Sequence, residues 1–355
     1  MKSRMTILDV AREVGVSKTA VSFAFNAPDR LAPATLQRIL AKAEELGYVP
    51  NPLAQRLARR SSGNLGVLIP QGLPEAFVHP HFQELFRGVG SFCEQNQLSL
   101  TIIPPLQGCL ITAVRNAAVD GVITLGFTPS APFLELLRKR DLPLVTVDSR
   151  VDPTIPSVTF RDQDRARELM LRILARGFRR IHILTFPPAR QEVRGNAGSR
   201  SLTRRLRGFK EALEQGETKD VVLTFGVSGV SAREARRSLL RHQWDEGHPE
   251  VVVCLSDAQA AGVYEYAEAR GLKIPEDLSV TGFDGSLVLK HLRPALTTVV
   301  QPGALKGRLA AGLLEAQWKD RAAVRHLVIR GRVAEGTSLG VPAPGFRKEG
   351  TRTTG

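Results

Sequence analysis

The sequence predicts two fold classes in one chain: a small all-α headpiece with a helix-turn-helix, then a larger α/β core of two doubly wound parallel-sheet lobes. Three observations carry this. Up to about residue 60 the apolar residues recur at helical spacing. From Leu65 onward short β-rich runs alternate with amphipathic helical stretches, and the alternation restarts near Pro156. The 355 residues exceed one ordinary domain and leave room for both parts.

The first helix starts at Thr6, an N-cap with Asp9 three residues on, and places Ile7, Val10, Ala11 and Val14 on one face. Gly15 supplies the left-handed residue that ends it, and Val16 packs back beneath the turn. Ser17 opens a second helix with Ala20, Val21, Ala24 and Phe25 inward, which leaves Ser17, Lys18, Thr19, Ser22 and Phe23 for other contacts. Pro33 begins a third helix carrying Leu36, Ile39, Leu40, Ala43 and Leu46, closed by Gly47. Two short helices about a glycine turn, the second bearing small polar and basic residues at its start, suit a reader of the DNA major groove. A plain helical hairpin has the same pattern. The next helix-like stretch, 51–60, is too short to hold its shape alone.

In the core, strands are expected at 65–70, 98–103, 121–126 and 144–148, with a helix at 82–96. A second series has strands at 156–160, 180–186, 221–225, 251–256 and 278–284, separated by helices ending near 176, 215, 242 and 270. Residues 297–301 return the chain, a helix runs to about 318, and 327–331 adds a late strand. Such a clam-shell holds its ligand at the carboxyl ends of the strands. Domain limits follow: headpiece 1–50, connecting helix 51–62, core 63–340, disordered tail 341–355. Within the core, lobe 1 takes 63–160 and 302–325, and lobe 2 takes 161–300 and 326–340.

The net charge of +14 favours a polyanionic partner through counterion release. Arg204, Arg205, Arg207, Arg233, Arg236, Arg237 and Arg241 lie in the core, however, where a basic helix face can simply be solvated. Cys93, Cys109 and Cys254 form no C-x-x-C pair and read as buried free thiols of a reducing compartment. No apolar run reaches membrane-spanning length, and the first residues lead into an amphipathic helix, so a cytoplasmic protein is expected. Catalysis is not expected: residues 226–229 lack the spacing of a nucleophile elbow, 17–19 lack a preceding glycine-rich loop, and His79 and His81 lack a third metal ligand. No cofactor or metal is anticipated.

The segments GVSKTAVSFAFN, ATLQRILAKAEELGYVPN and PLAQRLARRSSGNLGVLIP resemble the lac repressor (LacI/GalR) family of bacterial transcription regulators. The match is ordered over the first sixty-odd residues and continues more loosely to about residue 340. The resemblance implies a DNA-binding headpiece, a hinge helix and a two-lobed effector core similar to periplasmic sugar-binding proteins. It places Lys18 and Thr19 at base edges, Leu57 with Ala54 beside it in the minor groove, and Thr6, Ser17, Ser22 and Asn26 at phosphates. Ser17 can also be only an N-cap, and Leu57 can instead pack hinge against hinge or core. Phe23 departs from the family pattern, where Arg is common; it meets a thymine methyl or tucks into the headpiece core.

In the core the resemblance puts Asp148, Arg205, Asp284 and Gln301 in the effector cleft and adds Ser256 and Arg161 as candidate effector contacts, although strand-end aspartates also cap helices. Ser256-Asp257 stands where Asn-Asp is common, Arg161-Asp162 where Asp-Asn is common, and Gly285 where a second acid is common. Arg161 either favours an acidic or phosphorylated effector or joins a surface ion pair. The implied activity is repression at a near-palindromic duplex operator by a homodimer, or a higher assembly, under control of a sugar or related metabolite. A cytoplasmic sugar-binding module and a sequence-nonspecific DNA binder are the competing readings.

Overall fold

The computed structural model describes residues 5–51, 62–187, 200–216, 220–244, 249–287 and 290–342. It divides into two compact units, one reaching to residue 64 and taking in 118–120, the other built from 65–117 and from 121 onward. The expected connecting helix at 51–62, with Ala54 and Leu57, lies almost wholly outside the described residues, as does the tail beyond 342.

The first unit contains α1 (Ile7–Val14), α2 (Lys18–Asn26), a 3-10 turn (Pro28–Arg30) and α3 (Pro33–Glu45). The Asp9 carboxylate accepts both the Thr6 N–H at 2.9 Å and its hydroxyl at 2.7 Å, so the start of α1 is satisfied locally. Gly15, at φ 73°, ends α1 while its N–H and that of Val16 both reach the Ala11 carbonyl at 3.0 Å. Val10, Val21 and Ile39, one from each helix, are wholly buried and make the centre of a small core. Arg38 donates to the Val14 carbonyl at 2.9 Å, tying α3 to the end of α1.

The second unit holds two six-stranded sheets. The first has the order β11-β5-β4-β3-β1-β2, from β1 (Asn64–Leu68), β2 (Ser99–Ile103), β3 (Gly121–Leu125), β4 (Leu144–Val147), β5 (Ser157–Phe160) and β11 (His326–Ile329). The second has the order β12-β10-β9-β8-β6-β7, from β6 (Arg180–Thr185), β7 (Val222–Val227), β8 (Val251–Cys254), β9 (Ser279–Asp284), β10 (Thr297–Val300) and β12 (Arg332–Ala334). Every residue of β3, β4, β8 and β9 is buried, as strands covered by helices on both faces must be. Two departures from expectation concern the last strands. β11 pairs parallel to β5 and so belongs to the first sheet, where residues from 326 onward were expected in the second lobe. β12 pairs antiparallel to β10, an edge strand that breaks the otherwise parallel pattern.

Helices α4 (Leu73–Val78), α5 (Pro80–Gln95), α6 (Leu110–Asn116), α7 (Ala131–Lys139) and α12 (Gly303–Lys319) accompany the first sheet, and α8 (Asp162–Ala175), α9 (Ser201–Gln215), α10 (Ala232–Arg241) and α11 (Asp257–Arg270) the second. α5 and α12 touch through glycines: a Cβ on Gly88 would sit 1.9 Å from the Ala304 carbonyl oxygen, and one on Gly307 2.2 Å from that of Leu85. Gly208 does the same between α9 and α8, against the Gln163 oxygen at 2.2 Å. Such close backbone approach brings the helix starts that carry polar side chains up to the strand ends. Cys93 and Cys254 are buried free thiols as expected, but Cys109 is half-buried and caps α6, its Sγ accepting from Thr112 N–H at 3.5 Å.

Candidate functional site

On the first unit the N-terminal turn of α2 is open to solvent. Ser17 Oγ accepts the Ala20 N–H at 3.1 Å, so its hydroxyl is the cap of α2. Lys18 and Thr19 follow, both exposed. One turn on, Asn26 Nδ2 donates to Ser22 Oγ at 3.3 Å and leaves Asn26 Oδ1 buried with no hydrogen-bond partner among the described residues. Phe23 stays out of the headpiece core, half-buried under the Arg30 guanidinium 5.4 Å from its ring centroid. Phe25 takes the inward place, edge-on to Tyr48.

In the second unit a cavity of about 290 Å³ opens where strand ends and helix starts of both sheets meet. From the first lobe come Gln71, Glu75, His79, His81, Phe82 and Asp148; from the second, Phe186, Ser201, Arg205, Leu255, Ser256 and Asp284. Asp148 follows β4 and Asp284 ends β9, both at positive φ, 55° and 132°. That left-handed backbone costs an aspartate less than most side chains. Ser256 caps α11, accepting from Gln259 N–H at 3.1 Å.

Behind the wall the charged groups form one chain. His81 Nε2 lies 3.6 Å from Asp148 Oδ2, to which the Lys306 ammonium also donates. Lys306 donates again to Gln301 Oε1 at 2.8 Å, and Gln301 Nε2 to Asp284 Oδ1 at 2.5 Å. Arg205 Nη2 is 3.8 Å from that oxygen, its Nε donates to Asp162 at 2.9 Å, and its plane lies over the Phe283 ring at 3.7 Å. Lys306 is fully buried, and Asp148, Asp162, Arg205, Asp284 and Gln301 nearly so. Asp162 and Gln301 stand where the chain passes from one lobe to the other, after β5 and after β10.

Burial sets the protonation of this chain. It pushes Asp284 up to about 7 and Asp257 up to about 6, against the pull of Arg205 on the former and of Thr298 and Ser286 on the latter. His79 and His81 are held down, to about 3 and about 4, by burial and then by neighbouring positive groups. Burial works against the Asp148 anion too, but Lys306 and His81 outweigh it and keep its carboxyl well below the usual range.

Residues 6–51 match the family model of bacterial regulatory proteins, lacI family, and residues 171–339 that of a periplasmic binding protein-like domain. The HTH-type transcriptional regulator IpsA of Corynebacterium glutamicum is 31% identical over 323 residues, 85% of this chain and 88% of that one. The chain belongs to the LacI family of transcriptional regulators. The ribose operon repressor of Halalkalibacterium halodurans is 30% identical over 327 residues, 89% of this chain and 92% of that one. A LacI-family regulator from Silicibacter pomeroyi has a TM-score of 0.73 at 26% identity, covering 94% of this chain and 99% of that one. The lac repressor dimer bound to operator and the anti-inducer ONPF reaches 0.78 at 22% identity, over 95% and 99%, a likeness of fold.

Within this LacI-family chain, four of the six residues expected at an effector, Asp148, Arg205, Ser256 and Asp284, line the cavity. Gln301 sits one bond behind, holding Asp284 and Lys306. Arg161 is placed elsewhere: half-exposed and paired with Asp164 at 3.2 Å, it does not line the cavity. Sequence reasoning missed Lys306, Asp162, His79 and His81 as members. A signal existed for Lys306, the lone cation on the stripe Gly303, Gly307, Ala310, Leu314 that α12 buries. His79 and His81 flank the start of α5, in the connection that leaves the carboxyl end of β1 through α4, where such folds gather ligands.

Proposed function

We propose that this LacI-family regulator represses transcription by binding a near-palindromic operator as a homodimer, with a sugar or related metabolite in the cavity setting its affinity. Lys18 and Thr19 read base edges in the major groove, Phe23 borders them, and Ser17, Thr6, Ser22 and Asn26 meet phosphates. A headpiece of this size spans few base pairs, which calls for two copies on a two-fold site. In the lac repressor structure named above, a dimer is bound to operator, and CelR is known in complex with cellobiose. Leu57 and Ala54, outside the described residues, are assigned to the minor groove on the family match alone.

The observation that carries the reading is the exposed Lys18-Thr19 pair on a capped helix, in a chain whose second unit has an open cavity edged by Asp148, Arg205 and Asp284. Ligand binding that favours one arrangement of the lobes changes operator affinity by a coupling free energy, and operator changes ligand affinity by the same factor. Footprinting of the promoter region of the protein's own gene, with and without a panel of sugars, tests this. Protection of a two-fold site that shifts with one sugar is the expected result; uniform, sequence-independent protection would overturn it.

A further inference from the structure

The cavity offers carboxylate acceptors, and the buried cations about it are already engaged. Its one guanidinium, Arg205, is committed to Asp162, to the Leu255 carbonyl and toward Asp284. The Lys306 ammonium is sealed against Asp148 and Gln301. On the other side of the balance, Asp148 Oδ1 and His79 Nδ1 are buried and have no hydrogen-bond partner among the described residues. Asp284 and Glu75 also line the space. Of the described residues that line the cavity, Asp148 and Asp284 are buried carboxyls and Arg205 the buried cation, with Asp162 and Lys306 bonded behind them.

From this imbalance we infer that the effector site is specific for a polyhydroxylated ligand bearing a protonated amine, an amino sugar or amino polyol, and rejects phosphorylated and acidic sugars. The inference rests on the cavity being the effector site. An ammonium brings three donors and the missing charge, and the unpartnered Asp148 Oδ1 is a ready acceptor. A phosphate or carboxylate brings only acceptors, and would be buried beside carboxyls with no uncommitted buried cation to meet it among the described residues. A neutral polyol supplies hydroxyl donors without charge and binds more weakly. The raised value of Asp284 agrees: facing Arg205 from α9, Asp257 from α11, Gln301 after β10 and Lys306 from α12, it keeps a proton that an arriving ammonium displaces.

Calorimetry on the full chain with three matched sets decides the matter: glucose, galactose and mannose, their 2-amino derivatives, and their 6-phosphates, each at pH 5.5 and 7.0. In at least one set the amine is expected to bind roughly tenfold tighter than the neutral sugar, as a charge-assisted hydrogen bond implies. Its advantage should grow from pH 5.5 to 7.0, and the phosphate should give no heat of binding. Equal or tighter binding of every neutral or phosphorylated partner, or no binding by any of the three amines, overturns the inference. Operator protection without amine binding leaves the regulator reading standing and sinks this one; amine binding without operator protection does the reverse. The variant Asp148→Asn with Lys306→Met, which removes both charges together, should lower the amine-to-neutral ratio about tenfold. Should it fail to fold, the wild-type ratio still decides.

Discussion

Asp148 and Lys306, 158 residues apart in sequence, form an ion pair from which solvent is excluded. The ammonium comes from α12 and the carboxylate from the end of β4, so the pair fastens the returning helix to the first sheet. Its energetics follow from desolvation. Two charges taken out of water gain little over an apolar pair of the same shape, whereas one charge left alone is heavily penalised.

Lys306→Met alone is therefore expected to lower unfolding free energy by about 3–5 kcal/mol. The double variant Lys306→Met, Asp148→Asn should recover most of that loss. A double-mutant cycle by urea unfolding reads the difference, and additive single effects would refute the coupling.

Stability should depend on pH through Asp284. Its carboxyl is pushed from 3.8 in the open chain to about 7 in the fold, so between those values the folded chain keeps a proton that the unfolded chain loses. This contribution to stability is present below 3.8 and is lost as pH rises toward 7. His79 and His81, held neutral in the fold, act in the other sense and add stability as pH rises to 6.5. Asp284→Asn removes only the first effect. The melting temperature of the variant relative to wild type should thus climb by about 4 °C from pH 5 to 7.5, as ~1–2 kcal/mol gives in a chain of this size. A flat or falling difference would contradict the assignment.

Two glycines of α5 should respond oppositely to alanine. At Gly88 the new Cβ meets the Ala304 carbonyl oxygen, and a loss of roughly 1–3 kcal/mol is expected as α12 is pushed away. At Gly90 nothing lies within 4 Å, and alanine should stabilise the helix by about 0.5–1 kcal/mol. Paired thermal melts of the two variants check both signs.

For the headpiece, Lys18→Ala should cost roughly 1–3 kcal/mol at a matched operator and relax the preference at one base position. Ser17→Ala, which removes the α2 cap, should instead destabilise the headpiece by about 1 kcal/mol. Selection of binding sites from a random library separates them: a consensus unchanged by Lys18→Ala would refute a base contact.

The fold was legible because its signals are local. Gly15 and Gly47 end the helices they follow, and the buried strands read as uninterrupted apolar runs. The last two strands were less so, since 326–334 carries no periodicity that tells a sixth parallel strand from an antiparallel edge, and only pairing with β5 and β10 assigns it. In the site, Asp148 and Asp284 were found as acids at strand ends. Of the cations that decide their chemistry, Arg205 was found through the family resemblance; Lys306 was not, because it reaches Asp148 across the sequence, and Arg161, expected there too, turns outward beside an Arg205 that turns in. Which of two arginines points inward depends on tertiary packing and not on spacing.

Sequestration of the chain from His81 to Asp162 has a practical side. Mobile ions screen an exposed charge such as Lys18 strongly, and the buried carboxylates and cations about the cavity much less. Raising ionic strength should strip the regulator from duplex and leave its grip on a metabolite nearly unchanged. The two recognition events can then be measured one at a time in a single preparation.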